Sequence, residues 1–239
     1  MTSVGVVYLG WDLRGNDRML HALDRSVRSL YRFHDGIPVK VVELPTGSTL
    51  LDKAAMLDLS PFDLTLFLDI DTVVMDTLDF GFAMAHRHHL ACCVCEAPYA
   101  RRFARAARGD LVEYNTGVLF FDRSPESQSL FKAWDRLNRE VDSSLDFVHN
   151  GQVRRMPLND QAGFALAVEE VKMCPFVLPS NWNFRPLWHR MGFGPLKVWH
   201  DWNDVPAWLM EFNERQRGGE ILDFFEIAPD RPTRASLAA

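Results

Sequence analysis

The sequence predicts an α/β fold in which helices flank a mostly parallel sheet. Short apolar runs rich in β-branched residues alternate with segments of helical periodicity in the order β-α-β-α-β, which is the order of a parallel sheet whose crossovers are helices. The chain has 239 residues, of which 47% are hydrophobic, so it can bury a large core. We expect one domain over residues 1–227 and a flexible tail over residues 228–239.

The N-terminal part of the chain predicts three strands and two helices. In chain order these are a strand over 4–9, a helix over 19–31, a strand over 39–44, a helix over 50–59 and a strand over 64–68. Asn16 or Asp17 is the expected N-cap of the first helix. Gly10, Pro45 and Pro61 mark the ends of the segments that precede them.

Further strands and helices are predicted beyond the third strand. The strands are expected over 90–95 and 117–121, and the helices around 126–140, 160–169 and 203–216. The third strand matters most, because it leads directly into Asp69-Ile70-Asp71. In open parallel sheets, ligands collect at the carboxyl ends of the strands. We therefore expect the functional site at this edge of the sheet.

Composition excludes some classes of partner. Lys and Arg total 26 against 32 Asp and Glu, a formal charge of −6, which argues against a nucleic-acid-binding protein. No apolar run approaches the roughly 20 residues of a membrane span, and the N-terminus lacks the pattern of a signal peptide. Cys92, Cys93 and Cys95 would alternate between the faces of a strand, so they predict small buried side chains in a reducing cytoplasm rather than a metal site.

Asp69 and Asp71 are the strongest candidates for chemistry. An apolar strand that ends in two carboxylates buries charge at a cost unless a cation accompanies it. The two residues lie on the same side of an extended chain, so both can face one ion. Carboxylates favour Mg²⁺ or Mn²⁺, and an added imidazole shifts the preference to Mn²⁺. The alternative is an ordinary turn after a strand.

A second functional interpretation of the same residues is a phosphatase. The segment from Leu66 to Val73 is also similar to the aspartyl-phosphate motif of haloacid-dehalogenase-like phosphatases, in which Asp69 would be the nucleophile. In those enzymes the motif follows the first strand, whereas here it follows the third. No Asp-Asp dipeptide occurs later in the chain as a partner motif.

Further motifs, taken together with the aspartate pair, resemble those of glycosyltransferase family 8. They are Lys53 in Leu51–Leu57, Asn115–Asp122, Asn159-Asp160-Gln161, Leu178–Phe184 and Lys197–His200. Each motif is weak by itself, but together they occur in the order of that family. The resemblance extends over roughly residues 4 to 202. It implies a GT-A fold, a bound Mn²⁺ or Mg²⁺ ion, and sugar transfer with retention of anomeric configuration.

The resemblance also implies roles for individual residues. Asp69, Asp71 and His200 match the metal ligands, and Asp160 and Gln161 match the catalytic pair beneath the donor sugar. The residues expected to bind the donor, a nucleoside-diphosphate sugar with UDP as the implied nucleotide, are Tyr8, Gly10, Trp11, Asp12, Lys53, Asp69, Ile70, Arg101, Asn115, Thr116 and Gly117. The acceptor, whether glycan, lipid-linked or protein, and the oligomeric state stay open.

Within this set, the segment from Tyr8 to Asp12 would hold the base and ribose. Gly10, which lacks a side chain, would let a ligand approach the backbone closely. Trp11 would either stack on the ligand or belong to the core, and the sequence does not decide between the two.

The sequence departs from the family at one position. Members often carry a Lys-Pro-Trp segment after the metal-binding histidine, and that lysine grips the diphosphate. Here residues 201–208 contain no lysine. Arg101, Arg102, Arg105 and Arg108 offer a substitute as a lid over the donor, although a solvated helix face explains them better. The departure leaves a second possibility, a GT-A-like protein that binds a nucleotide-sugar without catalysis.

Overall fold

A computed structural model describes residues 2–11, 13, 15–95, 112–149, 151–156, 158–219 and 221–227. The predicted flexible tail over 228–239 lies outside these residues, as do Asp12, Arg101, Arg102, Arg105 and Arg108. The extent of the domain over 1–227 therefore stays a prediction.

The strands and helices of the described residues are numbered in chain order. The strands are β1 (Val4–Gly10), β2 (Val39–Glu43), β3 (Leu64–Leu68), β4 (Thr72–Val74), β5 (Leu90–Val94), β6 (Tyr114–Asp122), β7 (Leu145–His149), β8 (Gln152–Met156), β9 (Phe176–Leu178), β10 (Met191–Phe193), β11 (Val198–His200) and β12 (Phe224–Glu226). The α-helices are α1 (Asp17–Tyr31), α2 (Met56–Leu59), α3 (Asp79–His88), α4 (Pro125–Glu140), α5 (Asp160–Val171) and α6 (Ala207–Arg217). Two 3₁₀ helices cover Leu50–Ala55 and Ser180–Trp182.

The central sheet has six strands in the order β2-β1-β3-β6-β5-β9. Strand β1 pairs in parallel with β2 and β3, and β5 pairs in parallel with β9. Strand β6 is antiparallel to both of its neighbours, β3 and β5. The predicted α/β class with a mostly parallel sheet is confirmed. The register of β6 brings Gly117 beside the end of β3, where its carbonyl accepts a hydrogen bond from the Asp69 amide (2.9 Å).

The sheet separates two hydrophobic cores. Successive side chains of a strand point to opposite faces, so Phe67 packs in one core and its neighbours Leu66 and Leu68 pack in the other. Cys92 and Cys93 divide in the same way, and both are buried. These two thiols therefore fill space on different faces of the sheet.

Several segments differ from the sequence expectation. The helical stretch over 50–59 forms a 3₁₀ helix followed by α2, and Thr49 and Asp52 cap its start reciprocally. The expected helix over 203–216 begins only at Ala207, because Pro206 occupies its N-cap position. The helix α3, the β7–β8 hairpin and the β4–β11 ribbon are not predicted by the sequence. Strands of three residues, as in that ribbon, are too short to show a periodicity.

In the part of the chain that the structure describes, no helix combines the length and apolar character needed to cross a membrane.

Candidate functional site

The β4–β11 ribbon brings the two halves of the candidate site together. Asp69 and Asp71 lie in the turn between β3 and β4, and His200 is the last residue of β11, opposite Thr72. The Thr72 hydroxyl donates to the Asp69 carbonyl (2.7 Å) and tightens this turn. The Asp201 amide donates to the Asp71 carbonyl (3.0 Å). Backbone contacts therefore fix both carboxylates relative to the imidazole.

The three residues predicted as metal ligands meet in space. The Nε2 atom of His200 lies 3.3 Å from Oδ1 of Asp71 and 3.7 Å from Oδ2 of Asp69. One ligand atom from each residue lies within 4.8 Å of the other two. Such a group of two carboxylates and an imidazole can hold a divalent cation. It is the one group of three or more potential ligand residues among the described residues.

Asn183 and Gly117, which both lie against His200, are compatible with a cation held between the imidazole and the two carboxylates. The amide oxygen of Asn183 accepts a hydrogen bond from Nδ1 of His200 (2.8 Å), which leaves the lone pair of Nε2 directed at the carboxylates. These acceptor atoms repel one another unless a proton or a cation lies among them. Gly117 packs against His200 and Asp69 at a spot that a side chain would fill.

Lys53 forms the ion pair of the site. Its ammonium lies 2.6 Å from Oδ1 and 2.9 Å from Oδ2 of Asp69, and the residue is only 3% exposed. Burial alone would lower the pKa of Lys53, but the charges of Asp69, Asp160 and Asp71 outweigh burial and raise it. Lys53 is therefore a cation at neutral pH, in contact with the Asp-Asp-His group through Asp69.

The carboxylate of Asp71 is held in its charged form. Burial acts to raise its pKa, yet the nearby His200 and Lys53 lower the pKa to about 2. An anionic Asp71 at neutral pH is the form that a metal ion requires of its ligand.

Asp160 is placed at the start of α5, where Asn159 caps the helix by accepting a hydrogen bond from the Gln161 amide. The Thr116 hydroxyl donates to the Asp160 carboxylate (2.5 Å), and the indole of Trp134 donates to its carbonyl (2.9 Å). Burial raises the pKa of Asp160, and Lys53 and the Thr116 hydrogen bond offset this in part. The Asp160 carboxylate is thus fixed in position, and its pKa depends on the positive charge of Lys53.

Gln161 and Asn115 are buried polar side chains near the same wall. The Gln161 amide nitrogen lies 3.4 Å from Oε1 of Glu113 and 3.5 Å from the Cys95 sulfur. The Asn115 side chain accepts a hydrogen bond from the Gly117 amide (2.9 Å). These residues belong to β6, at the irregular stretch of its pairing with β5, and there Thr116 faces Asp160 and Gly117 faces His200.

These residues surround a cavity of about 420 Å³, a size that suits a small organic ligand. Its walls are formed by Trp11, Met19, Leu50, Lys53, Asp69, Ile70, Asp71, Asn115, Thr116, Gly117, Met156, Asn159, Asp160, Gln161, Arg185, His200 and Trp202. The structure therefore gathers most of the residues predicted for the metal, the donor and catalysis around a single space.

Tyr8 and Gly10, which are predicted to bind the donor, are not among the residues that line this cavity. Tyr8 is fully buried, and its hydroxyl lies 3.0 Å from the Ser26 hydroxyl of α1, so its side chain points away from the cavity. Gly10 also lies off the cavity wall, and the Leu13 side chain fills the space beside it. Trp11 belongs to both environments, since it lines the cavity and packs against the core. Asp12 and Arg101 lie outside the described residues.

Several residues of the site have no role predicted from the sequence. Asn183 belongs to the predicted Leu178–Phe184 motif. It stands two residues before a second polar side chain, Arg185, and two such residues lie on the same side of an extended chain. That spacing is the signal in the sequence. Trp202, Met156 and Asn159 also line the cavity. Asn159 belongs to the predicted motif that opens α5, whereas nothing in the local sequence distinguishes Trp202 or Met156 from ordinary loop or strand-end residues.

The fold has counterparts among solved structures. Apo mouse xyloside xylosyltransferase 1 has a TM-score of 0.55 and 14% identity over 82% of this chain and 97% of that protein. Apo glycosyltransferase GlyE of Streptococcus pneumoniae TIGR4 has a TM-score of 0.55 and 15% identity over 92% of this chain and 61% of GlyE. Galactosyltransferase LgtC, solved with donor and acceptor sugar analogs, has a TM-score of 0.52 and 15% identity over 90% and 95% of the two chains.

No protein-family model matches the sequence, and no curated protein matches it. Identities of 14–15% establish a shared fold and leave activity to be argued from the site itself. The chain therefore has the GT-A glycosyltransferase fold, with an Asp-Asp-His group on the wall of its cavity.

Proposed function

We propose that this protein is a metal-dependent, retaining glycosyltransferase that uses a nucleoside-diphosphate sugar, UDP-linked by the resemblance to glycosyltransferase family 8. The observation that carries the proposal is the meeting of Asp69, Asp71 and His200 on the wall of a 420 Å³ cavity. The GT-A fold supports it, as do Lys53, Thr116 and Asp160 on the same wall. The acceptor class, whether glycan, lipid-linked or protein, stays open.

Mn²⁺ is the proposed ion, with Mg²⁺ as the alternative, because the ligand group combines two carboxylates with an imidazole. Asp69, Asp71 and His200 would hold it. When bound, such an ion supplies Lewis-acid neutralisation of the charge on a diphosphate leaving group.

The residues of the chain itself would position the sugar. Lys53, buried and positively charged, lies against Asp69 and would balance negative charge at the donor. Asp160, or the side-chain carbonyl of Gln161, would stabilise positive character at the anomeric carbon. Retention would follow either from front-face attack, in which the leaving phosphate takes the acceptor proton, or from a transient glycosyl-enzyme.

A second candidate, nucleotide-sugar binding without catalysis, is favoured by the missing lysine after His200. Calorimetry with Mn²⁺ and a panel of nucleoside diphosphates, followed by a hydrolysis assay with radiolabelled donors, separates the two. Binding together with release of the labelled sugar supports the transferase. Binding without turnover on any donor and acceptor supports the binding protein instead.

The aspartate pair is tested by Asp71→Asn, with Asp58→Asn as the matched control because Asp58 is exposed on α2. We expect Asp71→Asn to weaken Mn²⁺ binding and Mn²⁺-dependent nucleotide binding at least tenfold, and Asp58→Asn to leave both unchanged. Equal Mn²⁺ affinity in wild type and Asp71→Asn would remove the aspartate pair from the proposal. Release of phosphate from an aryl phosphate would favour the phosphatase alternative.

We further propose a cytoplasmic location. All four cysteines are thiols, and three of them, Cys92, Cys93 and Cys95, are buried. Cysteines that stay reduced are typical of proteins in a reducing compartment.

A further inference from the structure

We propose that Arg185 grips the diphosphate of the donor, in place of the lysine that family 8 members often carry after the metal-binding histidine. The inference rests on the proposed function, since it names the part of the site that would contact the leaving group. Arg185 lines the same cavity as Asp69, Asp71 and His200. Arg185 comes before His200 in the chain, whereas the lysine of the family comes after the metal-binding histidine. Comparison at the position of that lysine therefore does not identify Arg185.

The backbone places Arg185 beside the metal-ligand cluster. Phe184 forms a parallel bridge with Trp199, its amide donates to the Val198 carbonyl, and its carbonyl accepts from the His200 amide, both at 2.9 Å. Side chains alternate along such an extended segment. Asn183 bonds to His200, Phe184 is buried in the core, and Arg185 lines the cavity. The residue that orients the imidazole and the proposed diphosphate ligand thus share one side of the segment.

The backbone of Arg185 is itself held in place. Its amide donates to Nδ1 of His189 (3.0 Å). Its carbonyl accepts from the amides of Trp188 (3.0 Å) and His189 (2.8 Å). A side chain presented from a fixed backbone loses less entropy when it binds a ligand.

The charges on the cavity wall call for a second cation. Among the described residues that line it, Asp69, Asp71 and Asp160 are acidic, and Lys53 and Arg185 are the Lys and Arg side chains. Lys53 already contacts both carboxylate oxygens of Asp69. A diphosphate brings two negative charges or more, and a planar guanidinium can contact two phosphate oxygens at once. Among the described residues that line the cavity, Arg185 carries the guanidinium.

The segment after His200 is arranged for a different purpose. Arg25 of α1 donates to the carbonyls of Asp201 (2.7 Å) and Trp202 (3.3 Å) and to the carboxylate of Asp204 (3.0 Å). The guanidinium of Arg18 lies 4.5 Å from the centre of the Trp202 ring. This segment is bound to α1 and contributes Trp202 to the cavity wall, and residues 201–208 contain neither lysine nor arginine.

The inference is tested with Arg185→Ala, Arg185→Lys and the control Arg190→Ala, which removes an exposed arginine of the same loop that is not on the cavity wall. Isothermal titration calorimetry measures the affinity for Mn²⁺ alone and for UDP in saturating Mn²⁺. We expect Arg185→Ala to weaken UDP binding about ten- to hundredfold and to leave Mn²⁺ binding unchanged. Arg185→Lys should retain part of the affinity, and Arg190→Ala should match wild type.

Each other outcome has a defined meaning. If wild type binds UDP and Arg185→Ala binds it within twofold as tightly, the inference about Arg185 fails and the proposed function survives. If Arg185→Ala weakens Mn²⁺ and UDP binding equally, Arg185 supports the metal ligands and does not grip the diphosphate, which also overturns the inference. If wild type binds none of UDP, GDP, ADP and CDP with Mn²⁺, the proposed function itself fails.

Discussion

Gly117 packs directly against His200, since a β-carbon at its position would lie 3.0 Å from Nδ1 of the imidazole and 2.7 Å from Oδ2 of Asp69. Contacts this short require a neighbour to move. Both neighbours belong to the proposed metal site, and both are held by hydrogen bonds or ion pairs. The absence of a side chain at position 117 is therefore a condition for the geometry of the ligands.

Replacement of Gly117 by alanine should damage metal binding more than folding. We expect Gly117→Ala to weaken Mn²⁺ affinity at least tenfold and to cost about 1–3 kcal/mol of stability through overpacking. The matched control is Gly218→Ala, because an added β-carbon there meets no atom within 4 Å. Mn²⁺ titration and urea denaturation measure the two effects. Wild-type Mn²⁺ affinity in Gly117→Ala would show that the site tolerates a shifted imidazole.

Asn183 should control metal affinity without contacting the ion. Its amide oxygen fixes the proton of His200 on Nδ1, and loss of such an outer partner typically costs ten- to hundredfold in metal affinity. We expect Asn183→Ala to weaken Mn²⁺ binding by about that factor. Asn183→Asp should keep most of the affinity, because a carboxylate accepts the same hydrogen bond. Equal losses in the two variants would contradict this role and point to packing instead.

The contributions of Lys53 and Asp69 to the free energy of unfolding should depend strongly on each other. Lys53→Met leaves the Asp69 carboxylate without its cation, so we expect a loss of about 2–4 kcal/mol in the metal-free protein. The double variant Lys53→Met/Asp69→Asn should lose less than the sum of the single variants by at least about 1 kcal/mol. Urea denaturation measures the cycle, with Lys132→Met on the exposed face of α4 as control. Additive losses would mean that the pair contributes no coupling energy.

Asp122 should make stability depend on pH below neutrality. Its carboxylate accepts from the Ser124 amide (3.0 Å), from the hydroxyls of Ser124 (2.6 Å) and Ser127 (2.8 Å), and lies 2.8 Å from Nδ1 of His89. Burial acts to raise its pKa, but these hydrogen bonds outweigh burial and lower it. A lowered pKa stabilises the fold above the unfolded value of about 3.9, and this stabilisation disappears as pH falls through the folded pKa.

The variant Asp122→Asn isolates that contribution. We expect it to be less stable than wild type by about 1–2 kcal/mol at pH 7, and the difference to shrink as the pH falls below about 4. Other carboxylates titrate in both proteins and cancel in the comparison. Urea midpoints measured from pH 7 to pH 3 give the difference directly. A difference that is the same at both ends would show that the hydrogen bonds do not depend on the charge.

Much of the fold was predictable because its signals are local. The strands β1 and β3 are continuous apolar runs, β2 is a short segment rich in valine, and Asn16 caps α1 as expected. The ribbon of β4 and β11 gave no such signal, since its strands have three residues each. The family resemblance predicts Tyr8 at the donor, whereas the structure packs its side chain into the core on one face of the sheet. The sequence shows that residues of a strand alternate between two faces, but not which face leads to the cavity.

The sequence by itself determined that two carboxylates end a buried strand, and that burial of such charges demands a cation. The family resemblance added His200 and Asp160. Only the tertiary structure decided which partners surround them, namely Lys53 on Asp69, Asn183 on His200 and Arg185 on the cavity wall. These partners come from separate segments, and their distances depend on strand register and on the β4–β11 pairing. Spacing along the chain does not encode such distances, whereas the pattern of a single strand does encode its own burial.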